Sequence, residues 1–379
     1  MKLFLILFVL NMTIQLNNVH WAEGTNMLLE PAIMCKKARR LRGKLAEICR
    51  HDSALLKEII IGVNLGFREC EFQLRNHRWN CTTQRRSMRK ILMRDTRETG
   101  FINAITSAGV TYSVTKACSM GKVIECACDK SHLLQMNGRQ SVAMQIHQKP
   151  IVSGCNNNCR HQNSETRKRK MLRKITLPEG EWEWGGCSDN IHFGFAKSRQ
   201  FLDSKYRHRR DLRTLVKLHN NAAGRLTLRE SMRVECKCHG LSGSCTMRTC
   251  WLKMPPFREV AEKLRRTFDT AFKVILRNDG NSFIPDGNIK NHFTKYHLVY
   301  SDDSLNFCVP NATFGVVGTQ ERECNATSIG LDGCESLCCS RGYKRRIISD
   351  WVNCKCIFKW CCEVTCEKCL EQRISNTCL

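Results

Sequence analysis

The chain has 379 residues and a formal net charge of +26, from 61 Lys and Arg against 35 Asp and Glu, and it carries 26 cysteines. Cysteine usage on that scale suits an oxidising compartment, where disulfides persist and substitute for missing core. It argues against structural zinc, because the C-x-x-C step Cys366/Cys369 and the C-x-C step Cys236/Cys238 lack paired steps at set intervals with histidine, so no metal is expected.

At the N-terminus, Lys2 precedes the apolar run Leu3 to Leu10, then small and polar residues follow through Ala22. That order predicts a secretory signal peptide over 1–22, which excludes nuclear nucleic acid as a partner. No later stretch approaches the roughly 20 continuous apolar residues of a bilayer span. The basic runs at Arg39 to Lys44, Arg85 to Lys90, Arg207 to Arg210 and Lys344 to Arg346 are candidate contacts for sulfated glycans such as heparan sulfate proteoglycans.

A mainly helical N-terminal domain is expected over 23–277. Ile59, Val63 and Phe67 keep one face before Cys70, and Ile102, Ile105, Ala108 and Tyr112 suggest a second helix before Cys118. The polar segment 130–174, with an isolated Cys155 and Cys159, reads as an exposed, flexible insertion.

From 232 to 251, Met232, Val234, Cys236 and Cys238 alternate before a turn, and Cys245, Met247 and Thr249 alternate after it. The turn His239-Gly240-Leu241-Ser242-Gly243-Ser244 is rich in small residues, so a hairpin is predicted. Nested pairs Cys236–Cys250 and Cys238–Cys245 would lace it, and their unequal position sums, 486 and 483, call for a bulge or kink in one strand. Ser242 is not a nucleophile elbow, because Ser244 stands where that motif needs glycine. No catalytic residues are assigned.

Behind Pro255 and Pro256, apolar residues from Phe257 through Phe272 and Ile275 recur at helical steps. No cysteine lies between Cys250 and Cys308, and the segment 278–307 opens with Asp-Gly and Pro-Asp-Gly punctuation, so it reads as a linker. Twelve cysteines crowd into 308–379, a small domain that must rely on crosslinks. There Cys354–Cys369 and Cys356–Cys366 nest around the adjacent Cys361 and Cys362, predicting a hairpin over 354–369 and a vicinal disulfide at its end. Its tip is Phe358, Lys359, Trp360, Cys361, Cys362, Glu363 and Val364. Trp360 and Phe358 there suit an aromatic contact surface, with core packing of the tryptophan as the alternative.

The decapeptide Cys236-Lys-Cys-His-Gly-Leu-Ser-Gly-Ser-Cys245, followed by Thr249-Cys250-Trp251, resembles the Wnt family. So do Arg78-Trp79-Asn80-Cys81, Ala108-Gly109-Val110, Trp184-Gly185-Gly186-Cys187-Ser188-Asp189-Asn190 and the terminal cysteine array. The resemblance implies an α+β fold likened to a hand, with the Ser242 hairpin as thumb and the Cys361 hairpin as index finger. It implies a developmental signalling ligand, secreted into the extracellular space and matrix, that grips the cysteine-rich domain of a Frizzled receptor through His239 to Gly243 and the finger tip. An LRP-type co-receptor joins it. It further implies a palmitoleoyl chain on Ser242, with no other cofactor, added by the acyltransferase Porcupine and escorted by the carrier Wntless.

Family pairing adds Cys70–Cys81, Cys118–Cys126, Cys128–Cys187, Cys308–Cys339, Cys324–Cys334 and Cys338–Cys378, which leaves Cys35, Cys49, Cys155 and Cys159, most economically read as Cys35 with Cys49 and Cys155 with Cys159. The sequons at Asn311 and Asn325, and less favourably Asn80, are candidate glycosylation sites. The competing function is a heparin-binding growth factor that needs no lipid.

Overall fold

A computed structural model describes residues 52–81, 90–130, 182–206, 209–240, 245, 247–287 and 293–379. The leader, Cys35, Cys49, the Cys155/Cys159 pair, most of the 130–174 insertion, and Leu241 to Ser244 lie outside the described residues. The chain forms two compact units, one of residues 1–70 and 94–304, the other of residues 71–93 and 305–379.

The first unit is built around α2 (Arg97–Ser119), which follows α1 (Ser53–Gln73) in the chain. Asp52 Oδ1 accepts the Leu55 amide at the start of α1, and the stripe Leu55, Ile59, Val63 and Phe67 is buried. Helix α2 is buried on nearly every side, so it shows no polar face. Small residues make this possible. A Cβ on Gly109 would stand 2.4 Å from the Gly62 carbonyl oxygen of α1, and one on Gly224 1.9 Å from the Ala104 oxygen of α2. Gly224 belongs to α4 (Leu212–Glu230), which packs on α2 together with α3 (Ile191–Leu202) and α5 (Phe257–Asp269).

Helix α4 also presents polar groups inward. Asn220 pairs with both backbone groups of Val299, its Nδ2 donating at 2.8 Å and its Oδ1 accepting at 2.9 Å. Arg225, 1% exposed, forms an ion pair with Asp203 at 2.6 Å, and Asn221 Nδ2 donates to the same carboxylate at 3.0 Å.

Helix α5 ends at Asp269, short of the sequence expectation. Phe272 and Ile275 belong instead to strand β4 (Phe272–Leu276), which pairs antiparallel with β5 (Phe283–Pro285) and parallel with β6 (Val299–Tyr300). Segment 278–307 is therefore not a plain linker, since two of these strands and the ring of Phe283, 5.3 Å from His219, tie it to the first unit.

Before α2, Asp95 lies 3.4 Å from Arg213 and its backbone amide donates to Asp302. Burial, with Asp302 adding repulsion, raises its carboxyl from 3.8 to about 6 despite Arg213. The folded chain thus binds that proton more tightly than the unfolded chain, a contribution present below pH 3.8 and lost as pH rises through about 6. Asp95→Asn is expected to flatten the fall in Tm across that window by the equivalent of about 1–2 kcal/mol. An unchanged slope contradicts the burial.

The second unit holds little apolar core. Its central cluster is Cys334, Leu337, Cys338 and Cys378, crosslinked by Cys324–Cys334, Cys338–Cys378 and Cys308–Cys339. Residues 71–93, assigned from sequence to the N-terminal domain, belong here for a visible reason. Arg322 donates to the carbonyl oxygens of Arg75, His77 and Arg78, and buried Trp79 lies 6.1 Å from the Phe307 ring. Strands β7 (Glu323–Cys324), β8 (Tyr343–Lys359) and β9 (Glu363–Cys378) form a sheet in the order β7-β9-β8.

Candidate functional site

Two disulfide-laced hairpins carry the candidate residues, one in each unit. In the first unit, β2 (Arg233–His239) and β3 (Met247–Lys253) pair antiparallel in one unbroken register from Arg233↔Lys253 to His239↔Met247. Cys236 stands opposite Cys250 and is bonded to it. Cys238 stands opposite Arg248 but is bonded to Cys245, whose Cα lies 4.7 Å away. Among the described residues no bulge or kink interrupts this ladder, and Cys245 lies outside it. His239 and Gly240 are exposed at the end of β2, and Ser242 falls just past them, outside the described residues.

What anchors this hairpin is the loop Trp184 to Asn190, whose role spacing alone did not disclose. Strand β1 (Glu183–Trp184) adds to β3 in parallel, and the Gly185 amide continues the ladder to the Cys250 oxygen. Ser188 Oγ accepts the Leu252 amide at 3.1 Å and Asp189 Oδ2 accepts the Met254 amide at 2.8 Å. Asn190 then caps α3 by accepting the Phe193 amide. The disulfide Cys128–Cys187 secures the same loop, and Cys118–Cys126 closes the turn after α2. Across the hairpin, Lys253 donates to Glu235 at 2.8 Å, a bond that holds the ammonium above its ordinary pKa.

The second hairpin, β8 with β9, extends far beyond its expected limits of 354–369. Its register runs from Tyr343↔Cys378 to Cys354↔Glu367 and shifts by one residue before Ile357↔Thr365. Lys355 sits in that bulge at φ 47° and pairs with Glu367 at 3.2 Å. Cys354–Cys369 and Cys356–Cys366 lace the strands on either side of it. At the tip, Phe358 stands opposite Val364 and Lys359 opposite Glu363, leaving Trp360, Cys361 and Cys362 in the turn. Trp360 is 93% exposed, which rules out core packing.

The vicinal bond Cys361–Cys362 requires correction: both thiols are free, with sulfurs 3.7 Å apart. The two residues adopt φ of 73° and 87°. The turn thus reaches left-handed backbone without closing the eight-membered ring, a closure that needs the sulfurs at bonding distance. Cys70 and Cys81 are each disulfide-bonded. Asn311 and Asn325 are exposed, their Oδ1 atoms accepting from Thr313 and Thr327, whereas Asn80 is half-buried.

Among the described residues no helix is long and apolar enough to cross a membrane. The sequence model of the wnt family matches residues 37–379. Protein Wnt-6 of Homo sapiens is 41% identical over 381 residues, covering 100% of this chain and 98% of that protein. Protein Wnt-6 of Mus musculus is 41% identical over 360 residues, covering 95% and 93%. Among solved structures, a chain of human WLS in complex with WNT8A superposes with a TM-score of 0.58 at 31% identity, covering 87% of this chain and 96% of that one. With its two laced hairpins, its mixed helical and strand architecture and these full-length likenesses, the chain belongs to the Wnt family of secreted signalling ligands, which are not enzymes.

Proposed function

We propose that the chain signals by binding the cysteine-rich domain of a Frizzled receptor through a palmitoleoyl chain on Ser242 and through the tip Phe358 to Val364, with an LRP-type co-receptor completing the complex. Two observations carry this, one in each unit. Cys238–Cys245 clamps the strand ends on either side of Ser242, and Trp360 stands 93% exposed at the end of the second hairpin. Strand ends already joined by a disulfide pre-pay part of the ordering cost of binding, and an exposed aromatic anchor is what interface hot spots are made of.

The acyl chain supplies most of the energy in this reading. Burying a methylene is worth about 0.8 kcal/mol, so a sixteen-carbon chain offers gross burial on the order of 10 kcal/mol before ordering costs. Such a chain in water is a liability, so it needs an enzyme to attach it and a carrier to shield it. Porcupine and Wntless fill those roles here, and the likeness to WNT8A, solved with WLS, supports the carrier. The net charge of +26 supports retention on heparan sulfate and extracellular matrix. Asn311 and Asn325 are the proposed glycan sites, with Asn80 disfavoured by its partial burial.

The finger is tested by Trp360→Ala. The variant is expected to be secreted with its disulfides formed and to bind immobilised Frizzled cysteine-rich domain about ten- to a hundredfold more weakly, as loss of an aromatic hot spot does. An unchanged dissociation constant returns the tip to a structural role.

A further inference from the structure

The β8–β9 ribbon has two unlike faces. Side chains alternate along a strand, so the register assigns each residue to one side. Ile347 opposite Ile374 and Trp351 opposite Leu370 share one face, below the bulge and the tip. All four are exposed, Ile347 at 70% and Trp351 at 69%. Arg345 and Lys368 lie on the same face, are exposed, and make no ion pair among the described residues. All four carboxylates of the two strands, Asp350, Glu363, Glu367 and Glu371, fall on the opposite face. Two of them are paired there, Asp350 with Arg373 and Glu367 with Lys355.

From Tyr343 to Trp351 the face runs for roughly 25 Å, and large apolar side chains exposed together on one face mark a contact. Stacking a second copy on it would bring Arg345 and Lys368 toward their own kind with no carboxylate to answer them. Aliphatic and aromatic side chains among unpaired cations, with every acid on the reverse, instead match an element lying in an anionic lipid interface. Tryptophan favours the headgroup level, and long basic side chains reach outward from there.

We propose that this face of the ribbon lies on an anionic bilayer surface, a membrane contact separate from an acyl chain at Ser242. A single acyl chain holds a protein to a membrane only marginally and reversibly. A second apolar and basic contact would make residence on an anionic bilayer durable while leaving the tip Phe358 to Val364 beyond it.

The test uses full-length secreted protein and vesicles of phosphatidylcholine with or without phosphatidylserine, read by flotation. Wild-type chain is expected to bind the phosphatidylserine vesicles at least about tenfold more tightly, with the difference shrinking as salt rises. Arg345→Glu with Lys368→Glu alters only exposed side chains and should erase that difference. Trp351→Ser with Leu370→Ser should weaken binding to both kinds of vesicle at least about tenfold. Equal vesicle binding by wild type and both double variants overturns the proposal. So does a loss of self-association or of receptor binding in the variants with vesicle binding intact, which would assign the face to a second copy or a protein partner. Mass spectrometry of the same preparations reports the state of Ser242, so failure of the acyl reading is separately visible.

Discussion

Replacing Ser242 with alanine is expected to lower affinity for a Frizzled cysteine-rich domain by at least about a hundredfold, or to stop export before binding can be measured. Gross burial of the chain is on the order of 10 kcal/mol. Even if ordering and desolvation costs consume two thirds of it, about 3 kcal/mol remains, which is roughly a factor of a hundred. The substitution removes only a hydroxyl from the segment that joins two strands held by Cys236–Cys250 and Cys238–Cys245. The disulfides are therefore expected to form normally, and peptide mapping under non-reducing conditions would show it. Normal receptor binding and signalling by Ser242→Ala would contradict the proposed mechanism outright.

The second large effect concerns stability. Asp203→Ala is expected to cost about 3–5 kcal/mol, because it strands the Arg225 guanidinium in the core. Arg225 is 1% exposed, its Nη2 lies 2.6 Å from Asp203 Oδ2, and its cation sits 5.4 Å from the Phe195 ring. Burial pulls the Arg225 pKa below its ordinary value while Asp203 opposes that shift. The same carboxylate accepts from Asn221, and Asp203 also terminates α3, so its loss leaves several groups unanswered. A cost of that size is a large share of the 5–15 kcal/mol typical of a folded domain, so secretion should fall sharply. Asp203→Leu combined with Arg225→Met should recover much of the loss, since a buried pair exchanged for apolar groups is often neutral or better. Denaturant unfolding with disulfides intact measures both. A single variant as stable as wild type would contradict the burial of the pair.

These cases show where sequence was legible. Helix α1 could be read because its core side is aliphatic, Ile59, Val63 and Phe67. Helix α4 could not, because it turns Asn220, Asn221, Arg225 and Thr227 inward, and a search for apolar periodicity passes over such a face. The end of α5 is not legible locally, because Phe272 and Ile275 fit a helical step and only their pairing with β6 and β5 makes them strand. The stretch after it carries turn punctuation, yet its aromatics pack on His219. Residues 71–93 join the second unit through contacts such as Arg322 to the carbonyl oxygens of Arg75 and His77, more than 240 positions apart, which no local pattern announces.

In the candidate site, cysteine alternation pointed to the pairing of Cys236 with Cys250 because side-chain alternation forces such pairs onto one face. The role proposed for Ser242 is a different matter: nothing in spacing or composition specifies an acyl chain, and it entered through family resemblance alone. The adjacent thiols at the finger tip show the converse hazard. Concentric spacing suggested a bond at Cys361–Cys362, where the backbone reaches positive φ but the sulfurs stay apart.

Mass spectrometry of the fraction of secreted protein that activates receptor-bearing cells examines the acyl mechanism most directly. The peptide containing Ser242 is expected to carry the mass of a singly unsaturated sixteen-carbon acyl group in ester linkage, with Ser244 unmodified. Full activity in a fraction whose Ser242 bears a free hydroxyl would contradict the account.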